Sequence, residues 1–334
     1  MQTASNHAIL VIGPAWVGDM MMAQSLFKIL KQRHPVPDID VVAPTWSAGL
    51  LKRMPEIRDI YTHDIEHGKL ALQNRHQMGH YLRKNNYQQA IILPNAWKAA
   101  LIPFWANVPI RTGFTGELRY GLLNDVRKKD KKQLTKTVEQ FVALGLPSNE
   151  LPTTIPPPTL QPCSPVDILQ KLHLSLEQPI LALCPGAEYG ESKRWPSDYF
   201  ATVARHMIGK KWQIWLFGSH KDQAIGDIIH EQAGQACTNL CGKTTLAEAV
   251  DLLALANAVI TNDSGLMHIA AALDKPLLAL YGSSSPDMTP PLSSKARILS
   301  LNLSCSPCFQ RTCRYHHLNC LRELFPERVL SELE

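Results

Sequence analysis

The chain has 334 residues, with 34 Lys+Arg against 29 Asp+Glu and a net charge of +5 at pH 7. Hydrophobic residues make up 45% and charged residues 19%. That composition excludes a disordered chain, and the mild charge argues against a nucleic-acid binder. The length suits two domains of roughly 150 residues each. The charge is uneven: residues 1–162 carry 19 basic and 12 acidic side chains (+7), and the remainder carries 15 and 17 (−2). A basic first half favours an anionic ligand, although solvated surface lysines would give the same sum.

The opening residues Met1 to His7 are polar, and the apolar run Ala8–Ile12 is too short for a signal core or a membrane span. No later stretch approaches ~18 uninterrupted apolar residues. A cytoplasmic protein is expected, with its eight cysteines reduced.

In chain order, Ala8–Ile12 reads as a buried strand of a parallel sheet. A loop, Gly13–Gly18, leads to a helix over Asp19–Gln32, where Met22, Leu26, Ile29 and Leu30 recur at helical spacing. Strands are expected at Ile39–Ala43 and Ala90–Leu93. Six prolines lie within Leu151–Pro165 and Pro147 just ahead, a density that excludes helix or central strand and reads as a stiff linker. Beyond it the rhythm restarts. Strands are expected at Ile180–Cys184, Trp212–Phe217, Ala258–Thr261 and Leu277–Tyr281. Helices are expected at Ser197–Ile208, Asp222–Ala233, Leu246–Leu255, Gly265–Leu273 and Pro326–Leu333. The alternation predicts an α/β chain of two Rossmann-like, doubly wound parallel sheets facing across a cleft. The boundaries are set at 1–160, 166–325 and a terminal helix 326–334. Ligands of such sheets bind beyond the carboxyl ends of the strands.

Four stretches carry candidate chemistry. Gly13-Pro-Ala-Trp-Val-Gly18-Asp19 has glycines at P-loop spacing, but Asp19 and Met20 stand where Lys and Ser/Thr belong. A carboxylate in the first turn of a helix suits a general base, or only stabilises the helix. Pro185 to Pro196 is a glycine loop in which Lys193 and Arg194 could neutralise a diphosphate leaving group; a solvated surface loop is the bland reading. Thr261-Asn-Asp263-Ser264-Gly265-Leu-Met-His268 opens a helix after a strand, an anion site by position, with Asp263 and Ser264 also suited to capping. Arg127-Lys-Lys-Asp-Lys-Lys132 is read first as a solvated face and second as a contact for an anionic substrate or membrane leaflet.

A fifth stretch, Cys305-Ser-Pro-Cys308-x4-Cys313-x6-Cys320, opens with metal-like spacing, but its second pair does not follow suit. Reduced, partly buried thiols and no metal are expected. The remaining four cysteines, Cys163, Cys184, Cys237 and Cys241, read as core or near-core positions. Asp38 and Asp40 form a D-x-D pair, but at the wrong end of a strand for a donor site.

Together, these motifs resemble the lipopolysaccharide heptosyltransferases, family 9 of the GT-B glycosyltransferases, over nearly the whole chain. The Gly13-Pro-x-Trp-Val-Gly-Asp-Met-Met-Met22 form and the Cys305-Ser-Pro-Cys308-Phe tail are similar to the type that adds the second inner-core heptose. The resemblance implies inverting transfer of L-glycero-D-manno-heptose from ADP-heptose onto the first heptose of Kdo2-lipid A, without cofactor or metal. It carries Asp19 onto the catalytic base and Lys193 onto a catalytic, donor-binding lysine. It carries Asp263, Ser264, Gly265 and His268 onto the donor motif. By position, Gly186, Glu188, Tyr189, Gly218, His220 and Thr244 are expected around the donor, and Trp16, Gly18, Asn95 and Lys98 around the acceptor. A monomer touching the cytoplasmic face of the inner membrane is expected, with no nucleic-acid partner. The competing readings are a heptosyltransferase of the first or third type, and a non-catalytic nucleotide-sugar binder. A dehydrogenase is disfavoured because the three-glycine fingerprint is missing.

Overall fold

In a computed structural model, residues 7–66 and 68–333 are described. The polar opening up to Asn6 and the final Glu334 lie outside them. The chain divides into two compact units, Met1–Pro158 and Thr159–Glu334. The division falls inside the proline-rich segment. That segment is laid along each unit rather than left as a spacer. Pro156 and Pro157 carbonyls accept from Ser25 Oγ and Lys28 Nζ at 2.7 Å, while Leu160 N donates to Ala272 O at 3.1 Å.

The first unit holds β1 (Ala8–Ile12), β2 (Asp38–Pro44), β3 (Asp59–His63), β4 (Gln89–Ile92), β5 (Ile110–Phe114) and β6 (Asp125–Arg127). They form one parallel sheet in the order β3-β2-β1-β4-β5-β6. The second unit holds β7 (Ile180–Cys184), β8 (Gln213–Leu216), β9 (Cys237–Asn239), β10 (Ala258–Asn262), β11 (Leu277–Tyr281) and β12 (Ala296–Ser300). Its sheet is also parallel and runs β12-β11-β10-β7-β8-β9. Each unit therefore repeats the doubly wound strand order, whose chain direction reverses between its first and fourth strands. The carboxyl ends flanking that switch point are where such sheets bind ligands. Here these are the ends of β1 and β4 in one unit and of β7 and β10 in the other.

The strands β1, β7 and β11 are buried along their full length, as continuous apolar runs require when helices cover both faces. The helix Val17–Leu30 is buried nearly all round, including Gln24 and Ser25. In the second unit Trp195, Phe200 and Leu321 pack with Val329 of the helix Pro326–Ser331 into one core. The terminal helix is thus part of the second unit's core. Asp38 and Asp40 fall within β2. Asp40 is fully buried and held by Arg58 and by the Tyr87 hydroxyl, a structural ion pair at the amino edge of the sheet. Among the described residues no helix is long and apolar enough to cross a membrane.

Candidate functional site

In the first unit, β1 ends at Ile12 and the helix begins at Val17, two residues ahead of the expected start. Trp16 is its N-cap residue, with no side-chain cap, and Met20 N makes the first helical hydrogen bond, to Trp16 O at 2.9 Å. Asp19 is thus in the first turn, where unpaired backbone N–H groups favour a carboxylate. Gly18 and Asp19 are half-buried and Trp16 is exposed. Asn95 and Lys98 follow β4, the strand beside β1. Asp19 and the four acceptor candidates therefore share one switch point.

The second unit assembles a tighter cluster. Lys193 Nζ, on the loop after β7, lies 2.5 Å from Asp263 Oδ2, at the end of β10. Ser284, after β11, donates its hydroxyl to the same oxygen. Asp263 and Ser284 are buried. The lysine charge is therefore met within the protein by a carboxylate that the loop's own residues do not supply. Asp263 does not cap the helix Gly265–Ala272; Ser264 holds the N-cap position with no side-chain cap. Among the described residues the first N–H groups of the helix thus have no side-chain acceptor, as an anion site requires. His268 is buried one turn in. Burial pulls its pKa down to about 4, with Asp263 opposing the shift and Lys193 adding to it.

Three residues missed in the sequence shape the loops at this switch point. Asn262 is fully buried and spans the switch point: its Nδ2 donates to Pro185 O at 2.7 Å and its Oδ1 accepts from Trp195 N at 3.0 Å. Both ends of the Pro185–Pro196 loop are thereby tied to β10. Ser284 was legible only as part of a serine run after a glycine-closed strand. Asp222, buried, accepts from Ser219 N and Oγ at 2.9 and 2.7 Å. A side chain at Gly186 would run into its carboxyl group, so this glycine serves close packing.

The remaining donor candidates divide. Gly218 O accepts from Gly242 N at 3.0 Å. Gly242 has φ +72, and a Cβ there would lie 2.9 Å from His220 Cα. A glycine the sequence reading passed over thus draws Gly218, exposed His220 and the Thr244 loop together. Tyr189 donates to Phe309 O at 2.6 Å, and Lys193 Nζ sits 4.9 Å from its ring centroid. Glu188 stands apart: it is exposed and paired with Lys221 at 2.5 Å.

Tyr189's partner Phe309 belongs to the cysteine-rich segment, which docks on the same loop. Ser192 Oγ meets Ser283 Oγ at 2.9 Å, and Cys308 N and Phe309 N both donate to Ser283 O. The four cysteines line one small void of about 20 Å³. Among the described residues no group of three or more His, Cys, Asp or Glu side chains is arranged to hold a metal ion. Cys313 is pulled below the usual thiol range by backbone N–H donors, Leu318 first, and burial pushes Cys320 up to about 11. Of the other four, Cys184, Cys237 and Cys241 are buried, but Cys163 is exposed, contrary to its reading as a core or near-core position. It follows Pro162 in a segment without regular structure.

Residues 75–319 match the family model for glycosyltransferase family 9 (heptosyltransferase). The chain belongs to glycosyltransferase family 9. It is 46% identical to lipopolysaccharide heptosyltransferase 2 of Salmonella typhimurium, and 45% identical to that of Escherichia coli, over 97% of each chain. The solved structure of E. coli ADP-heptose lps heptosyltransferase II superposes with a TM-score of 0.87 at 44% identity, covering 98% of this chain and 97% of that one. Two six-stranded parallel sheets flanked by helices are thus the fold this family 9 chain shares with it.

Proposed function

We propose that this family 9 chain is a type II heptosyltransferase. It transfers L-glycero-D-manno-heptose from ADP-heptose to the first inner-core heptose of Kdo2-lipid A, in lipopolysaccharide core biosynthesis. The observation that carries this reading is the full-length likeness to lipopolysaccharide heptosyltransferase 2 proteins. The likeness spans both switch points, including the candidate base and the Lys193–Asp263 cluster.

In this reaction Asp19 accepts the proton of the acceptor hydroxyl as that oxygen bonds to the heptose anomeric carbon. The bond from that carbon to the diphosphate oxygen breaks, and ADP leaves with the electron pair. Attack from the face opposite the leaving group inverts the anomeric centre. The diphosphate is received by the N–H groups at the start of Gly265–Ala272. Lys193 supports it electrostatically while remaining oriented by Asp263. Trp16, Gly18, Asn95 and Lys98 receive the acceptor sugar. The basic first half faces a polyanionic acceptor rooted in a bilayer, so the chain works in peripheral contact with the inner leaflet; it acts there as a monomer.

Mass spectrometry of the product from ADP-heptose and mono-heptosylated Kdo2-lipid A tests the reading. One added heptose on that acceptor is expected. Transfer only to unheptosylated Kdo2-lipid A, or to none of the defined truncated acceptors, would overturn it.

A further inference from the structure

Leu118 and Tyr120 are each 82% exposed, the highest values among the exposed large hydrophobic residues described. They flank Arg119, which is only 4% exposed. The Arg119 guanidinium donates to Pro94 O at 2.7 Å and to Phe114 O. Its own carbonyl accepts from Leu122 N and from the backbone N of buried Leu123, both at 3.1 Å. The loop after β5 is thus pinned at its middle residue. A slack loop would fold two large apolar side chains against the protein surface; this anchor holds them in water.

The neighbouring loops give the tip its context. β5 and β6 are parallel neighbours, so the loops that follow them leave the same edge of the sheet. The loop after β6 carries Lys128, Lys129, Lys131 and Lys132, all but Lys129 exposed. Trp97, after β4, lines an open depression with Glu117 and Leu118. The carboxylates present are engaged locally. Glu117 accepts from Trp97 N at 3.1 Å, and Asp130 accepts from Lys132 N and Gln133.

We infer that the Thr115–Gly121 loop is a wedge that seats Leu118 and Tyr120 in the interfacial layer of an anionic lipid bilayer, with the Lys128–Lys132 segment on the lipid phosphates. Apolar tips beside lysines are complementary to a surface that is apolar below and anionic above. A single shallow anchor binds marginally, so the two signals have to act together. This inference rests on the peripheral contact proposed above and names the element that makes it.

The test is co-sedimentation of the full chain with vesicles of phosphatidylethanolamine and phosphatidylglycerol. The double variant L118S/Y120S is expected to lower vesicle partitioning by about tenfold or more while changing turnover on a soluble, deacylated acceptor by less than about twofold. In the single variant Leu118→Trp, brominated lipids are expected to quench fluorescence beyond the quenching seen in the unchanged chain. Equal partitioning of the double variant, or no added quenching in the Leu118→Trp variant, overturns the wedge and leaves the peripheral contact standing. Absence of vesicle binding by the unchanged chain overturns both. Loss of turnover on the deacylated acceptor by a folded double variant would move the loop into the acceptor site and overturn the wedge.

Discussion

Lys193 and Asp263 stand 70 residues apart in the chain and meet at 2.5 Å across the switch point of the second sheet. Breaking a buried pair from one side leaves a charge uncompensated, at about 3–5 kcal/mol. Lys193→Met is therefore expected to destabilise the protein by roughly that amount, lessened by Lys193's partial exposure. Adding Asp263→Asn is expected to recover most of the loss. Urea unfolding of the two single variants and the double variant measures the coupling; strictly additive losses would show that the pair is not energetically linked.

Asp19 is proposed to accept a proton only as the new bond forms, so its removal acts on the chemical step. Asp19→Asn is expected to reduce turnover by about 10²-fold or more while leaving ADP-heptose affinity within about twofold. Steady-state kinetics paired with calorimetric donor binding separates the two effects. Near-normal turnover would remove Asp19 from the role of base.

His268 is neutral in the folded protein because burial lowers its pKa from 6.5 to about 4. The unfolded chain takes up that proton first as pH falls. The contribution is therefore fully present above about pH 6.5 and is lost as pH drops towards 4. Over that window the loss is on the order of 3 kcal/mol for this one residue. His268→Asn is expected to flatten that part of the stability-against-pH curve, read from denaturant midpoints at several pH values. Identical slopes for both proteins would show that His268 is not the responsible group.

Asn262 satisfies one carbonyl and one amide at opposite ends of the donor loop. Asn262→Ala leaves both buried groups without that partner, at about 1–3 kcal/mol for each unsatisfied group. A fall in thermal midpoint and faster amide exchange at Trp195 are expected. Unchanged exchange there would show that the loop is held by other contacts.

The elements that were legible in the sequence are those whose own residues carry the signal. β1, β7 and β11 are unbroken apolar runs, and their limits coincide with the expected ones. β3, β5, β6, β9 and β12 passed unread, and four of these are the sheet edges. β3 reads Asp-Ile-Tyr-Thr-His and is largely half-buried. It is a strand because β2 offers it a parallel partner, not because of a pattern within it. The candidate residues of each unit were legible in type and order: Asp19 in the first, and Lys193, Asp263 and His268 in the second, each follow a strand that could be read. Asn262 and Asp222 were not, since a buried polar side chain is defined by what it bonds to.

The amino-acid sequence by itself determined two successive α/β units and set chemically able side chains just past their strand ends. Burial periodicity and turn residues are local properties, and they sufficed for that. Only the tertiary structure decided how those side chains are charged and held. It gave Lys193 a carboxylate, buried His268 as a neutral ring, left the Gly265–Ala272 helix without a side-chain cap, and lifted Leu118 and Tyr120 into water around a buried arginine. The reason is physical: the energy of a charge or a hydrogen bond depends on distance and on excluded water, and both are set between segments far apart in the chain.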